Sequence, residues 1–305
     1  EVSGQQFALM AEGWLKQTGF PTLSVQAAYN CERHVMALHL RQDGDRPEKR
    51  WIFPVRIALV DASGSDISEV LHRVEKVDET IELESPEPPA FISINRGYSF
   101  YGKVRYDAPL PELYLQAERD SDIVNRSIAF MRIMDREKLR LLSDPSARPD
   151  PECIDLWFRL LSDSDLMMEG GAQLATVFES VPDKKYAHRY QALYDVREQL
   201  FRSIAARYTT ELLDIYTTVR VPIRRRDSLD QELRDIKLRQ IRNTALLVLS
   251  RLDTPDIHQL IRDQFTGGSC ATDTLVAFSL YMDSSAPDRT VILDVFEEES
   301  KKNPV

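Results

Sequence analysis

Imidazole is the side chain best suited to bind metal or carry protons near neutral pH, and the chain holds five: His34, His39, His72, His188 and His258. No H-E-x-x-H occurs, so the two imidazoles at i and i+4 that would hold zinc on one helix face are missing. His34 and His39 are five apart in a strand-like run, which sends them to opposite faces, and they read as surface or sandwich-edge residues. His188 stands near Asp183, Tyr186 and Tyr190, ordinary company for a polar helix start. Cys31, Cys153 and Cys270 are odd in number, far apart and outside any metal spacing, and read as reduced thiols of a reducing compartment. With 49 Asp and Glu, pairs such as Asp163 and Asp165, or the run Glu297 to Glu299, are expected by chance as solvated faces or helix-end charges. No G-x-S-x-G elbow, Walker loop or dinucleotide fingerprint is present. The glycine pairs Gly170-Gly171 and Gly267-Gly268 fall between helical stripes, where Gly ends or begins a helix. Trp14, Trp51 and Trp157 each sit in an apolar stripe and read as core. The expectation is no catalytic, cofactor-binding or metal-ligating residue in these 305 positions.

The elements that would position any chemistry change character near residue 107. Before it a period of two dominates. Trp51, Phe53, Val55, Ile57 and Leu59 fill alternate positions, as do Leu23, Val25, Ala27 and Tyr29, and His34, Met36, Leu38 and Leu40. Gln42-Asp43-Gly44-Asp45 and Asp61-Ala62-Ser63-Gly64 supply turns between runs. Val74 to Leu83, Phe91 to Ile94 and Lys103 to Tyr106 predict further short strands. Such strands suggest two packed antiparallel sheets, an Ig-like β-sandwich, led by a short helix with Phe7, Met10 and Trp14 on one side.

After Pro109 and Pro111 the period becomes helical to the end. Leu238, Ile241, Ala245, Val248 and Leu252 line one side of a helix; Val124, Ile128 and Met131 begin another stripe, Leu193, Val196 and Leu200 a third, Leu275, Phe278 and Met282 a fourth. Breaks at Asp144-Pro145 to Pro151, Pro182-Asp183, Pro222, Thr254-Pro255, Gly267-Gly268 and Pro287 predict eight or so helices, as in stacked helical pairs of HEAT or armadillo type. No strict sequence period accompanies them.

A net charge of -10 argues against a nucleic-acid partner, whose phosphates the mean field would repel. The dense basic run Arg224-Arg225-Arg226 reads as a solvated loop before a helix. No apolar run approaches the roughly 18 residues that span a bilayer; Ala245 to Leu249 is among the longest. Asn125-Arg126-Ser127 matches a glycosylation acceptor but lies inside an expected helix and reads as accidental. The chain opens on Glu1 without a signal-peptide pattern, and stops at Lys302-Asn303-Pro304-Val305 soon after the helical stretch Val291 to Glu299, which together suggest a piece of a longer protein.

Phe7, Trp14, Gln17, Gly19, Pro21, Leu23 and Val25 form F-x6-W-x2-Q-x-G-x-P-x-L-x-V. This resembles the segment that opens the β-sandwich domain of bacterial aminopeptidase N enzymes, zinc aminopeptidases of the gluzincin type. Asn95-Arg96-Gly97-Tyr98-Ser99 followed by Val104 is similar to that family's closing strand pair, R-G-F-S-A-P-V, with Phe100-Tyr101-Gly102 in place of Ala-Pro. Glu211 to Tyr216 resembles a recurrent family helix. Arg239 to Leu246 resembles R-x-L-R-N-x-C-L with Ala245 for the Cys, and Gln264-Phe265 with Thr272-Asp273 and Ala277 resembles the next linker and helix, with Ala271 for the usual Met.

The resemblance implies a sandwich over residues 1–107 and the first portion of a helical superhelix over 108–305, truncated at its C-terminal end. It implies that zinc, its H-E-x-x-H ligands and the G-x-M-E-N segment that holds a substrate's amino terminus all belong to a missing N-terminal catalytic domain of the same polypeptide. This chain would then be the non-catalytic C-terminal part of a cytoplasmic enzyme acting on peptides, spacing and walling its substrate chamber, with no cofactor of its own and neither nucleic acid nor membrane as partner. A stand-alone protein-binding module of sandwich plus helical repeats is the alternative, and an enzyme using a surface carboxylate pair a third.

Overall fold

The computed structural model describes residues 7–43, 50–172, 175, 184–219, 221, 228–268 and 270–302. The turn residues Gly44-Asp45, the breaks at Pro182-Asp183 and Pro222, the run Arg224 to Arg226 and the last three residues lie outside that description. The chain divides into two compact units, Glu1–Ile133 and Met134–Val305.

The first unit follows the period-two patterning. Helix α1 (Ala8–Lys16) leads into β1 (Thr22–Asn30), β2 (Val35–Asp43), β3 (Phe53–Val60), β4 (Asp66–Val74), β5 (Asp78–Glu84), β6 (Phe91–Ile94) and β7 (Lys103–Arg105). These form a four-stranded sheet, ordered β5-β2-β1-β7, and a three-stranded sheet, ordered β4-β3-β6. Leu23, Leu38, Phe53, Val55, Ile57 and Leu59 are wholly buried between them, so the alternate positions read from sequence are the inward ones. Ala27 and Tyr29 are only partly buried at the end of β1.

Three departures have physical causes. First, β7 pairs parallel to β1 (Thr22 with Lys103, Ser24 with Arg105), so the larger sheet is mixed rather than antiparallel. Gly102 enters β7 where an added Cβ would lie 2.5 Å from the Pro21 carbonyl oxygen, which requires glycine at this position. Second, Val74 to Leu83 is not one strand: it holds the end of β4, a turn and most of β5. Polar Ser68 and His72 stand among the inward positions of β4 and apolar Leu71 among the outward ones, which hides the alternation. Third, β3 is buried on both faces from Ile57 to Val60, because Ala58 and Val60 pack under Phe91 and Leu115 on the far side of the sheet. Leu115 lies on α2 (Leu110–Arg119); α3 (Ile123–Ser143) follows, its residues through Ile133 belonging to this unit. At the N-terminal end Trp14 stacks obliquely on Trp51 at 4.9 Å and donates its indole N–H to the Ile52 carbonyl at 2.9 Å.

The second unit is helical throughout its described residues. After the end of α3 come α4 (Pro151–Ser162), α5 (Ser164–Gly170), α6 (Tyr190–Arg207), α7 (Thr209–Thr218), α8 (Leu229–Leu249), α9 (Pro255–Gly267), α10 (Ala271–Met282) and α11 (Arg289–Lys302). Consecutive helices pack as neighbours, α7 on α8 and α9 on α10. Pro151 and Pro255 stand in the first turn of their helices, and Asp150 caps α4 by accepting from the Glu152 N–H at 2.9 Å. More helices appear than the eight or so expected after residue 107, because three breaks carry neither Gly nor Pro, the first being Asp120 to Asp122 between α2 and α3. Asp163 ends α4 and caps α5 through the Leu166 N–H at 3.0 Å. Tyr208 interrupts α6 and α7, held by a stack on Phe158 at 4.0 Å and by its hydroxyl donating to Asp155 at 2.6 Å.

Two helical stripes prove to be the wrong side. In the part of α3 up to Ile133 the buried residues are Asn125, Ala129, Phe130 and Ile133, while Ile128 is exposed and Val124 and Met131 only partly covered. In α10 they are Asp273, Ala277, Leu280 and Tyr281, while Leu275 is half exposed. The stripes on α6 and α8 do face inward at Leu193, Val196, Leu200, Ile241, Ala245 and Val248. Leu38→Ala is expected to lower the stability of the sandwich by about 2–5 kcal/mol, read as a shift in urea midpoint by tryptophan fluorescence. Leu71→Ala, at a side chain 59% exposed, is expected to stay within about 0.5 kcal/mol of the parent.

Candidate functional site

The histidines are dispersed by the fold. His34 is not in a strand: it occupies the turn before β2 with φ of 51° and places Nδ1 2.9 Å from the Pro86 carbonyl oxygen. His39 on β2 pairs with Asp78 at 2.7 Å, and His72 on β4 lies 3.4 Å from Glu79. His188 is exposed in a 3-10 segment, Lys184–Arg189. His258 pairs with Asp253 at 2.7 Å. Among the described residues no three His, Cys, Asp or Glu side chains are grouped to hold a metal ion. The described residues do not offer the ligand set that a zinc ion of the kind the resemblance implies requires. Trp51 and Trp157 are buried core residues, and Asn125 is buried with its amide donating to Ser93 Oγ and the Ile94 carbonyl at 2.9 and 3.1 Å.

Buried polar groups concentrate instead at one corner of the first unit. Arg96, in a 3-10 turn after β6, is 5% exposed. Its guanidinium donates to Asp66 at 2.7 Å, Glu69 at 3.3 Å, Asp120 at 3.2 Å and Ser93 Oγ at 2.9 Å. Burial works against the charge, but the surrounding carboxylates outweigh it and raise the pKa above the usual arginine value. Asp120 also accepts from Gln116 and from the Asp122 N–H, and Asp122 accepts from the Gly97 N–H at 2.6 Å. Asn95, before the turn, takes a left-handed φ of 64° while its side chain bonds Ser99 and Phe100. One cation thus ties β4, β6 and the end of α2 together.

The first unit also bears a cleft of about 910 Å³. The outward face of β1, β2 and β7 forms one side, with Arg41, Ser24 and Arg105 in one register row. Asp43 holds Arg41 at 3.0 Å and Arg105 at 3.2 Å and also accepts from the Ser24 hydroxyl. That hydroxyl first, and the two arginines after it, keep the Asp43 carboxyl below its usual pKa despite partial burial. On α3, Val124, Ile128 and Met131 line the other side, with Arg132 donating to the Tyr106 carbonyl at 2.6 Å. Burial pushes both the Tyr106 phenol and the Glu112 carboxyl upward, and their oxygens meet at 3.2 Å. The sequence does not mark this cleft, because its cations are spread over two strands and one helix.

In the second unit a groove of about 520 Å³ runs between α8 and α10. Ile236, Leu275 and Val276 give it apolar surface, and Arg239 and Asn243 a polar floor. Beneath lies Asp273, 1% exposed, accepting from Asn243 at 3.0 Å, while Gln264 bridges the Asn243 side chain and the Asp273 carbonyl. At the α9–α11 corner, Asp253 accepts from the Ser285 N–H at 2.9 Å and from His258. The Ser285 bond first, and His258 after it, hold its pKa below the usual carboxylate value.

Comparison with known proteins places this arrangement in context. Residues 19–107 match the family described as "Domain of unknown function (DUF3458) Ig-like fold", and residues 111–305 match "Domain of unknown function (DUF3458_C) ARM repeats". A puromycin-sensitive aminopeptidase of Caenorhabditis elegans is 28% identical over 136 residues, covering 41% of this chain and 14% of that protein. The crystal structure of Legionella pneumophila aminopeptidase A in complex with aspartic acid superposes with a TM-score of 0.78 at 17% identity, over 96% of this chain and 35% of that one. At that identity the likeness is one of fold. The chain thus spans well under two thirds of either protein.

Two outcomes follow from the geometry. Arg96→Met strands Asp120 in the interior and is expected to cost about 3–5 kcal/mol in urea unfolding of the first unit. Arg96→Lys recovers only part, because one ammonium cannot reach four acceptors set for a guanidinium fork. Asp253→Asn is expected to lower the thermal midpoint of the second unit near neutral pH. A depressed folded pKa stabilises above the unfolded value of about 4 and fades as pH falls through the folded one, so the difference between parent and variant should shrink as pH falls below about 4.

Proposed function

The chain belongs to the family that joins the DUF3458 Ig-like domain to its ARM-repeat partner, the C-terminal region of aminopeptidase N type enzymes, and from this premise we propose that it serves a zinc aminopeptidase without containing the catalytic centre. The ordered match of both domains along the chain carries the reading. On this proposal residues 1–107 form the sandwich that spaces the catalytic domain from the helices, and residues 108–305 form the helical array that walls the substrate chamber and limits what enters. A catalytic domain on the same polypeptide would hold the zinc and bind the amino terminus of peptide substrates. Stacked helical repeats suit the walling role, since they build broad curved surfaces from short elements. No helix of the described residues is long and apolar enough to cross a membrane. Among the described residues Cys31, Cys153 and Cys270 form no disulfide, which supports a reducing, cytoplasmic setting for the enzyme.

The purified chain, supplied with zinc, is expected to release no arylamine from aminoacyl-arylamide substrates above the buffer rate. The coding sequence upstream of Glu1 is expected to carry an in-frame H-E-x-x-H. Zinc-dependent turnover abolished by a chelator, or a start codon directly preceding Glu1, overturns the proposal.

A further inference from the structure

The cleft of the first unit has two chemically different sides. The sheet side is cationic, with Arg41, Lys103 and Arg105, and Arg132 of α3 adds a fourth cation; the one carboxylate among the lining residues is Asp107. That sign is opposite to the chain as a whole, whose net charge is -10. Lys103 and Arg105 are alternate residues of β7, so both side chains project from the same face, about 6.6 Å apart. Asp43 between Arg41 and Arg105 shows how a carboxylate is received there, with a serine hydroxyl completing the contact. The other side is apolar, being the α3 stripe that the fold leaves uncovered: Val124, Ile128 at 38% exposure, and Met131.

We infer that this cleft binds an extended acidic peptide segment of another polypeptide, one in which acidic and aliphatic side chains alternate. The argument is one of complementarity in charge and in period. Alternate side chains of an extended strand point to opposite sides at a repeat of about 6.6–6.8 Å. Carboxylates at i and i+2 therefore meet Lys103 and Arg105 while the intervening aliphatic side chains turn toward Ile128 and Met131. The long flexible stems and sulfur of Met131 and the arginine stems tolerate variation in the aliphatic residue. Nucleic acid fits poorly, since the α3 side presents mainly aliphatic surface at Val124, Ile128 and Met131 and the net field repels a polyanion.

The test uses fluorescence anisotropy of the intact chain with a labelled peptide of alternating Glu and Leu. The same composition in a block of Glu followed by a block of Leu, an alternating Lys and Leu peptide, and an oligothymidylate serve as comparisons. The alternating acidic peptide is expected to bind with Kd in the tens of micromolar, roughly -6 kcal/mol. Binding should weaken several-fold between about 50 and 300 mM salt. Lys103→Gln with Arg105→Gln, and separately Ile128→Asp, should each weaken it at least about five-fold without lowering the melting temperature. Arg33→Gln, at an exposed arginine paired with Glu82 on the far edge of the sheet, should leave it unchanged. Equal binding of the block peptide, tighter binding of the oligothymidylate, unaltered affinity in the cleft variants, or no saturable binding up to about 1 mM overturns the inference.

Discussion

A single buried guanidinium organises the first unit. The strands of a sandwich are held by their own ladders and core, but the chain that leaves β6 has to turn, release β7 and begin helices at a defined angle. Arg96 solves this by meeting four acceptors from three segments, in a setting 5% exposed. A charge taken so far out of water is tolerable only when its partners are complete. The geometry of the whole corner is therefore coupled: Gly97 presents its N–H to Asp122, Asn125 ties Ser93 and Ile94 to α3, and Asp120 receives three donors. The β-α-β packing at this end is specified by polar satisfaction more than by apolar area.

The second unit solves a similar problem with a neutral and ionic mixture. Asp273 at the start of α10 is buried and bonded to Asn243 of α8, while Gln264 of α9 closes the triangle. Three consecutive helices are thus fixed in register by one network of buried side chains. These residues belong to the segments whose resemblance to the aminopeptidase family was drawn from sequence, so that likeness records a packing requirement and not a reactive group.

Much of the architecture was legible because its signals are periodic and strong. Trp51 through Leu59 and Leu23 through Val25 alternate without ambiguity, and the proline and glycine breaks mark most helix ends. What escaped notice has a common origin in mixed chemistry. On α3 and α10 the inward faces hold Asn125 and Asp273, so an apolar stripe read by hydrophobicity alone lands one face away, at Ile128 and Leu275. The strand Asp66–Val74 alternates, but with His72 and Ser68 among its inward or half-buried positions. The cationic cleft was illegible for a different reason: Arg41, Lys103 and Arg105 are made neighbours only by the pairing of β1 with both β2 and β7.

That pairing also sets an order of assembly. Strand β1 meets β2 across a short turn, yet its other edge waits for β7, about eighty residues further along the chain. Chain emerging from a ribosome would form the β1–β2 hairpin early and hold an open edge until Arg105 had cleared the exit. The burial of Arg96 comes later still, since Asp120 lies beyond the point where the Ig-like match ends at residue 107. Contacts so distant in sequence are slow to close. The sandwich is therefore a structure whose last stitch is sewn by the helices that follow it.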